Sequence, residues 1–130
     1  MDNSEKKYCT ILKTNINVTN MQETVAFLAD NIEELQGKYV CVSNVHTTVM
    51  AFKDEKYRRI QNSAAMALPD GKPLSIVSRG RGFTEAKRVP GPDVMPEIFK
   101  LSKEKEYRHF FYGGKEETLD KMKNRLLAEY

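Results

Sequence analysis

The chain contains little cysteine and no long apolar run. Cys9 and Cys41 are its two cysteines, and they are too far apart in sequence to form a C-x-x-C pair or a zinc site, so we expect reduced thiols. The first residues, MDNSEKKY, lack the apolar segment of a signal peptide. No stretch approaches the roughly 20 apolar residues that span a bilayer. We therefore expect a soluble, cytoplasmic protein.

Glycine and proline are also scarce, with 7 and 5 residues, while 40% of the residues are apolar and 30% are charged. This composition is typical of a globular protein rather than a disordered or fibrous one. A length of 130 residues predicts one compact domain over residues 1–130. The 21 basic and 18 acidic residues give a net charge of +3 and are mixed along the chain. They favour an anionic ligand slightly and do not indicate nucleic acid.

Several motifs of common enzyme classes are absent. The sequence has no D-x-D pair to hold a divalent cation against a diphosphate, no G-x-S-x-G elbow and no Walker loop. His46 and His109 are the two histidines, and neither has a second ligand at metal-binding spacing. We expect no metal site and no cofactor.

Hydrophobic periodicity predicts strands that alternate with helices. The predicted strands are a strand or hairpin over Tyr8–Val18, and single strands at Tyr39–Ser43, Ala64–Leu68 and Arg108–Tyr112. The predicted helices run from an Asn20 cap to Gly37, over Val45–Ala51 and Asp54–Asn62, from Pro73 to Gly80, after an Asp93 cap, and over Glu116–Leu127. This alternation predicts an α/β fold with a Rossmann-like parallel sheet and helices on both faces.

Polar or glycine corners follow three of the predicted strands. Asn44 follows the first core strand, Asp70 the second, and Gly113 and Gly114 the third. Because ligands of such folds bind beyond the carboxyl ends of the strands, we expect these three loops to line one rim of the sheet.

Asp70 has two interpretations. Pro73 disfavours a helical Lys72, so Lys72 is the expected cap of the helix that begins at Pro73, and Asp70 lies too early to cap it. Asp70 could still close an Asx turn on its own backbone. Alternatively, a carboxylate at the mouth of a sheet could act as a general base.

Other candidates are likewise open to structural explanations. Arg88, in a basic loop, could bind two phosphate oxygens or could serve solubility. The Gly113-Gly114 turn resembles a phosphate-binding corner but lacks the G-x-G-x-x-G pattern. Asn44 could orient a sugar or base, with hydroxyls from Ser43 and Thr47 beside it, or could simply end a strand.

Three motifs in order carry a family resemblance. The Asn44 corner, Pro69-Asp70-Gly71 and the segment Arg88-Val89-x-Gly91-x-Asp93 resemble the amino-terminal half of the bacterial WecG/TagA/CpsF glycosyltransferases, from about Tyr8 to the end of the chain. Members of that family transfer an N-acetylmannosamine-type or related sugar, with inversion, from a UDP donor to a polyprenyl-diphosphate-linked acceptor. They do so in teichoic acid, common-antigen or capsule synthesis.

The resemblance implies roles for individual residues. Asp70 matches the proposed catalytic base, Arg88 matches the arginine suited to stabilising the departing diphosphate, and Asn44 lies near the donor sugar. Val42 stands where family members often have threonine, so a hydroxyl would have to come from Ser43 or Thr47. The expected substrate-binding residues are Asn44, Ser43, Thr47, Gly71, Gly91, Asp93, Gly113 and Gly114.

The family pattern continues beyond this sequence. It includes further strands, a Gly-Ala-Pro-Lys-Gln-Glu motif and a basic appendage that meets the membrane, whereas this chain stops at LLAEY. We therefore expect a truncated form of the family domain, peripheral membrane association through the part not contained here, and self-association through an exposed sheet edge. A nucleotide-sugar-binding module without turnover is the alternative function.

Overall fold

The computed structural model describes residues 7–130, which form two compact units. The first unit ends at Val94 and the second spans Met95–Tyr130. The strands are β1 (Tyr8–Ile11), β2 (Thr14–Asn17), β3 (Val40–Ser43) and β4 (Met66–Pro69). The helices are α1 (Met21–Asp30), α2 (Val45–Lys53), α3 (Glu55–Asn62), α4 (Lys72–Gly80), α5 (Gly91–Lys105) and α6 (Glu116–Glu129). The expectation of a single domain stays a prediction.

β3 and β4 form a parallel pair, with Val40 opposite Met66 and Ser43 opposite Pro69. The predicted α/β class and the parallel pairing are confirmed. The run YVCVS predicts a strand over Tyr39–Ser43. The observed β3 begins one residue later, at Val40, and ends at Ser43 as predicted. β4 is shifted toward the carboxyl end of the predicted Ala64–Leu68 run, because Pro69 pairs with Ser43 of β3.

The predicted hairpin is present as the antiparallel pair β1–β2. Leu12 and Lys13, at its turn, both have positive φ, as the central residues of a type I′ turn require. The hairpin also pairs with β4 by a side chain, because Asn17 Oδ1 accepts a 2.7 Å hydrogen bond from Ala67 N–H. The bond satisfies the buried N–H of Ala67, which would otherwise need a backbone partner from another strand.

The core of the first unit lies between the hairpin, β4 and α4. It is a cluster of buried apolar side chains, with Phe83 packed against it: Cys9, Ile11, Ile16, Val18, Ala67, Leu74 and Ala86. Ala86 belongs to the segment between α4 and α5, and Arg79 Nη1 donates to its carbonyl over 2.9 Å. The core therefore anchors the segment that leads to Arg88.

Several predicted helix boundaries are wrong. α2 and α6 each run two residues past their predicted ends, to Lys53 and Glu129, and α3 begins at Glu55 with Asp54 as its cap. α1 ends at Asp30 rather than near Gly37. Asn31 is its C-cap, because its backbone N–H makes the last helical hydrogen bond to Phe27 O and its side-chain amide donates to the same oxygen. α4 begins at Lys72, with Gly71 as its N-cap. The φ of 107° at Gly71 turns the chain into the helix one residue earlier than the prediction at Pro73.

Asp93 lies in the first turn of α5 and not at its cap. The helix begins at Gly91, and the N–H groups of Asp93 and Val94 both donate to Pro90 O over 3.1 Å. Pro92 fits this first turn because an N–H there would have no partner within the helix. The Asp93 carboxylate is therefore near the helix amino terminus, where its charge is favourable.

Residues 108–112 do not form the predicted strand. Among the described residues no segment pairs with them, and Phe110 and Tyr112 are 89% and 97% exposed. A strand needs a neighbour for its backbone hydrogen bonds, which the second unit does not supply within Met95–Tyr130. Apolar composition alone therefore predicted the wrong structure here.

The second unit is held by aromatic contacts. Phe99 packs edge-on against His109 and Phe111, with ring centroids 5.0 and 6.0 Å away. A cavity of about 520 Å³ is lined by these three rings together with residues of α6, including Leu119 and Leu126. Of the residues predicted to form a site, none lines this cavity.

Candidate active site

Asn44 and Asp70 leave the parallel strands at the same edge. They directly follow Ser43 and Pro69, which are partners in the β3–β4 register. Asp70 N–H donates a 2.7 Å hydrogen bond to Ser43 O, so the ladder continues one residue past β4. Two of the three corners predicted to share a rim are thus adjacent at the carboxyl ends of their strands.

Arg88 meets Asp70 at this edge. Its Nη2 donates to Asp70 Oδ1 over 3.3 Å. The backbone on either side fixes this position, because Lys87 N–H donates to Thr19 O over 3.2 Å and Val89 is fully buried. The acid and the guanidinium, 18 residues apart in sequence, therefore converge as predicted.

The ion pair is partly open to solvent, with the side chain of Asp70 24% exposed and that of Arg88 49% exposed. Exposed pairs of this kind contribute about 0–1 kcal/mol to stability because water screens them. The pair therefore adds little to the stability of the fold, and both groups remain accessible for chemistry.

Asn44 forms the N-cap of α2. Its Oδ1 accepts a 2.9 Å bond from Thr47 N–H, and its own N–H donates to Thr47 Oγ1 over 3.0 Å. This capping box uses the hydroxyl of Thr47 and the carbonyl end of the Asn44 side chain. Within residues 7–130 the Nδ2 group of Asn44, which is exposed, forms no hydrogen bond. The cap thus fixes the amide while leaving its donor directed to no protein group that the structure describes.

Ser43 is fully buried, and its Oγ donates to Gln61 Oε1 over 3.1 Å. Its hydroxyl therefore already has a protein partner. Its link to Asp70 is its backbone carbonyl, which accepts the hydrogen bond from Asp70 N–H.

Gly91 allows the Arg88 segment to approach β3 closely. A Cβ at this position would lie 3.0 Å from Val42 Cγ2 and 3.5 Å from Val42 Cγ1. Such a contact is tight, so a side chain at this position would need Val42 to shift by a few tenths of an ångström. Gly71 is required instead by its backbone conformation, as described above. Asp93 is exposed on the first turn of α5.

Gly113 and Gly114 lie in the second unit, in an exposed bend before α6. Their φ values are 110° and 75°, which glycine adopts without strain. The strand expected to precede them is not formed. A role for this turn in binding phosphate stays a prediction.

Gln61 and Arg79 are two residues near the site that the sequence analysis did not select. Gln61 holds Ser43 from α3, and Arg79 holds Ala86 from α4. Each of these bonds joins a helix to a different segment of the chain, so local sequence patterns gave no signal for either bond.

No group of three or more histidine, cysteine or acidic residues is arranged to hold a metal ion within the described chain. Over the same residues, no helix combines the length and apolar character that crossing a bilayer requires.

Comparison with known proteins gives a match over nearly the whole chain. The model of the glycosyl transferase WecG/TagA/CpsF family matches residues 9–130. The chain belongs to this family. The predicted resemblance is confirmed, and the residues of the Asn44, Asp70 and Arg88 motifs lie within the matched range.

Two curated relatives in the WecG/TagA/CpsF family carry the same name, N-acetylglucosaminyldiphosphoundecaprenol N-acetyl-beta-D-mannosaminyltransferase. The protein from Bacillus subtilis (strain 168) is 26% identical over 113 residues, which cover 86% of this chain and 44% of the relative. The protein from Bacillus spizizenii (strain ATCC 23059 / NRRL B-14472 / W23) is 26% identical over 96 residues, which cover 71% and 37%. The chain spans less than half the length of both relatives.

Proposed function

We propose that this chain takes part in transferring an N-acetylmannosamine-type or related sugar from a UDP donor to a polyprenyl-diphosphate-linked acceptor, with inversion and without a metal ion. The observation that supports this most directly is the convergence of Asp70 and Arg88 beside Asn44 at the carboxyl edge of a parallel strand pair. The names of the two Bacillus relatives support the choice of sugar and acceptor.

In the proposed reaction Asp70 is the general base. It accepts the proton of the acceptor hydroxyl while that oxygen forms a bond to the anomeric carbon of the donor sugar. The bond from that carbon to the UDP oxygen breaks on the opposite face, so the anomeric configuration inverts. The electron pair leaves with UDP, and the proton stays on Asp70.

Arg88 stabilises the leaving group. A guanidinium can donate two parallel hydrogen bonds to a diphosphate, and its charge opposes the negative charge that develops on the leaving oxygen. Arg88 would thereby supply the positive charge that a metal ion supplies in many nucleotide-sugar enzymes. Asn44 would donate from Nδ2 to the donor, because its Oδ1 is held by the α2 cap.

The wider setting follows from the acceptor. A lipid-linked acceptor requires that the protein work at a membrane surface, so we propose peripheral association with the inner face of the cell membrane. We also propose self-association through the side of β3 away from β4, which pairs with no strand among residues 7–130 and so offers backbone groups to a second copy. Gly71, Gly91, Asp93, Gly113 and Gly114 remain proposed substrate-binding residues.

Two measurements test the function. Titration of UDP, followed by amide NMR shifts, should perturb Asn44 and Asp70. Transfer from UDP-N-acetylmannosamine to a lipid-diphosphate mimic should fall by about 10²–10⁴-fold in Asp70→Asn, because loss of a general base has effects of this size. The control is Arg59→Gln, which removes the 2.7 Å ion pair with Glu55 on the exposed face of α3 and should leave transfer unchanged.

The outcomes separate the alternatives. UDP binding with no transfer would support a nucleotide-sugar-binding module instead of an enzyme. Normal turnover in Asp70→Asn would remove Asp70 from the mechanism. No NMR response at millimolar UDP would overturn the proposed function.

A further inference from the structure

Gln61 is a buried amide whose two ends are both bound. It lies on α3 and is 7% exposed. Its Oε1 accepts from Ser43 Oγ over 3.1 Å, and its Nε2 donates to Tyr57 OH over 3.1 Å. A buried amide that is hydrogen-bonded at both ends is held in place, because moving it away from either partner would leave a buried polar group unsatisfied.

Ser43 connects this amide to two residues of the candidate active site. It is the last residue of β3, so Asn44 follows it directly in the chain. Its carbonyl oxygen accepts the 2.7 Å hydrogen bond from Asp70 N–H. A displacement of Ser43 would therefore move the side chains of Asn44 and Asp70 together.

We propose that Gln61 is a positioning residue that holds Asn44 and Asp70 in register through Ser43. This inference rests on the proposed function for the roles of those two residues. Gln61 touches neither of them in the structure. Its contribution is to fix the carboxyl end of β3. Asn44 extends from that end, and Asp70 is hydrogen-bonded to it.

α3 is attached to β3 at a second place, which provides a matched control. Tyr39, just before β3, donates from its hydroxyl to Ile60 O over 2.6 Å. Tyr39→Phe thus removes a hydrogen bond between the same two elements at the opposite end of the strand. A general loosening of α3 would affect both variants, whereas a positioning role affects only the Gln61 end.

The test compares Gln61→Met, Gln61→Glu and Tyr39→Phe. In Gln61→Met, which keeps the length but removes both hydrogen bonds, Asp70 N–H should exchange with solvent on the order of tenfold faster, as expected for one weakened hydrogen bond. The kcat should fall roughly 10- to 100-fold with little change in KM for the UDP-sugar, because misplacement of reacting groups affects the transition state most. Gln61→Glu, whose carboxylate can accept from both Ser43 and Tyr57, should restore part of the kcat.

Tyr39→Phe should leave both the Asp70 exchange rate and kcat close to wild type. Unchanged Asp70 exchange in Gln61→Met, or equal losses in Tyr39→Phe, would overturn the positioning role. If Gln61→Met does not fold, Ser43→Ala removes the same hydrogen bond with a smaller change and has the same expected result. The exchange measurement needs no substrate, so absence of UDP binding in the wild-type chain would overturn the proposed function, whereas unaltered exchange would overturn the positioning role alone.

Discussion

Gly91→Ala is expected to destabilise the first unit through a single contact. The added Cβ would lie 3.0 Å from Val42 Cγ2, closer than two carbon atoms approach without repulsion. Overpacking of a well-packed core costs about 1–3 kcal/mol, and the lower part of this range applies because Val42 is 41% exposed and can shift. Alanine also restricts the unfolded chain and thereby stabilises the folded one by about 0.4–1 kcal/mol. The net expectation is a loss of up to about 1 kcal/mol in the free energy of unfolding.

A double-mutant cycle in urea, followed by far-UV circular dichroism, isolates this contact. In the Val42→Ala background the colliding methyl groups are absent, so Gly91→Ala should become stabilising by about 0.4–1 kcal/mol. Gly80→Ala is the matched control, because a Cβ at Gly80 meets nothing within 4 Å and should stabilise α4 in either background. The reasoning is refuted if Gly91→Ala has the same effect with and without Val42.

Two further predictions concern the edge of β3. Asn44→Ala should lower the free energy of unfolding by about 1 kcal/mol, because α2 loses its cap, whereas Asn44→Ser should retain most of it; equal losses in urea unfolding would contradict the capping role. Burial raises the pKa of the Cys41 thiol, so at mildly alkaline pH iodoacetamide should label Cys41 more slowly in the native protein than in urea, as read by peptide mass spectrometry. By the same shift, the stability that Cys41 contributes is complete below the ordinary thiol pKa and is lost as the pH rises through the raised value; equal labelling rates in both states would contradict the burial effect.

The sequence predicts the site well where strands are defined by local composition. The β-branched run before Asn44 and the apolar run before Asp70 each identify a buried strand, and parallel pairing then brings their carboxyl ends to one edge. The convergence of Asp70 with Arg88 follows from this topology together with the family motif. The strands are predictable because each is defined by composition within a few residues, whereas their pairing follows from the α/β fold and the position of Arg88 from the family motif.

Other features depend on partners that a local pattern does not contain. The run RHFFY has strand composition, but a strand also needs a neighbour, and residues 108–112 have none in the described chain. The start of α4 moved by one residue because of the positive φ of Gly71. The bond between Ser43 and Gln61 spans 18 residues, and a glutamine in a mostly polar helix gives no sign that it is buried.

The weakness of the Asp70–Arg88 pair is consistent with the two different roles proposed for its members. In the structure the two charged groups lie 3.3 Å apart, so each occupies a hydrogen-bonding position of the other. The proposed reaction would require Arg88 to bind diphosphate and Asp70 to accept a proton, so the pair would have to loosen. A partly exposed pair contributes about 0–1 kcal/mol, whereas an arginine–phosphate contact is bidentate and more strongly charged. We therefore expect a diphosphate that reaches Arg88 to compete successfully with Asp70 and to free its carboxylate, which a fully buried pair of the same residues would resist.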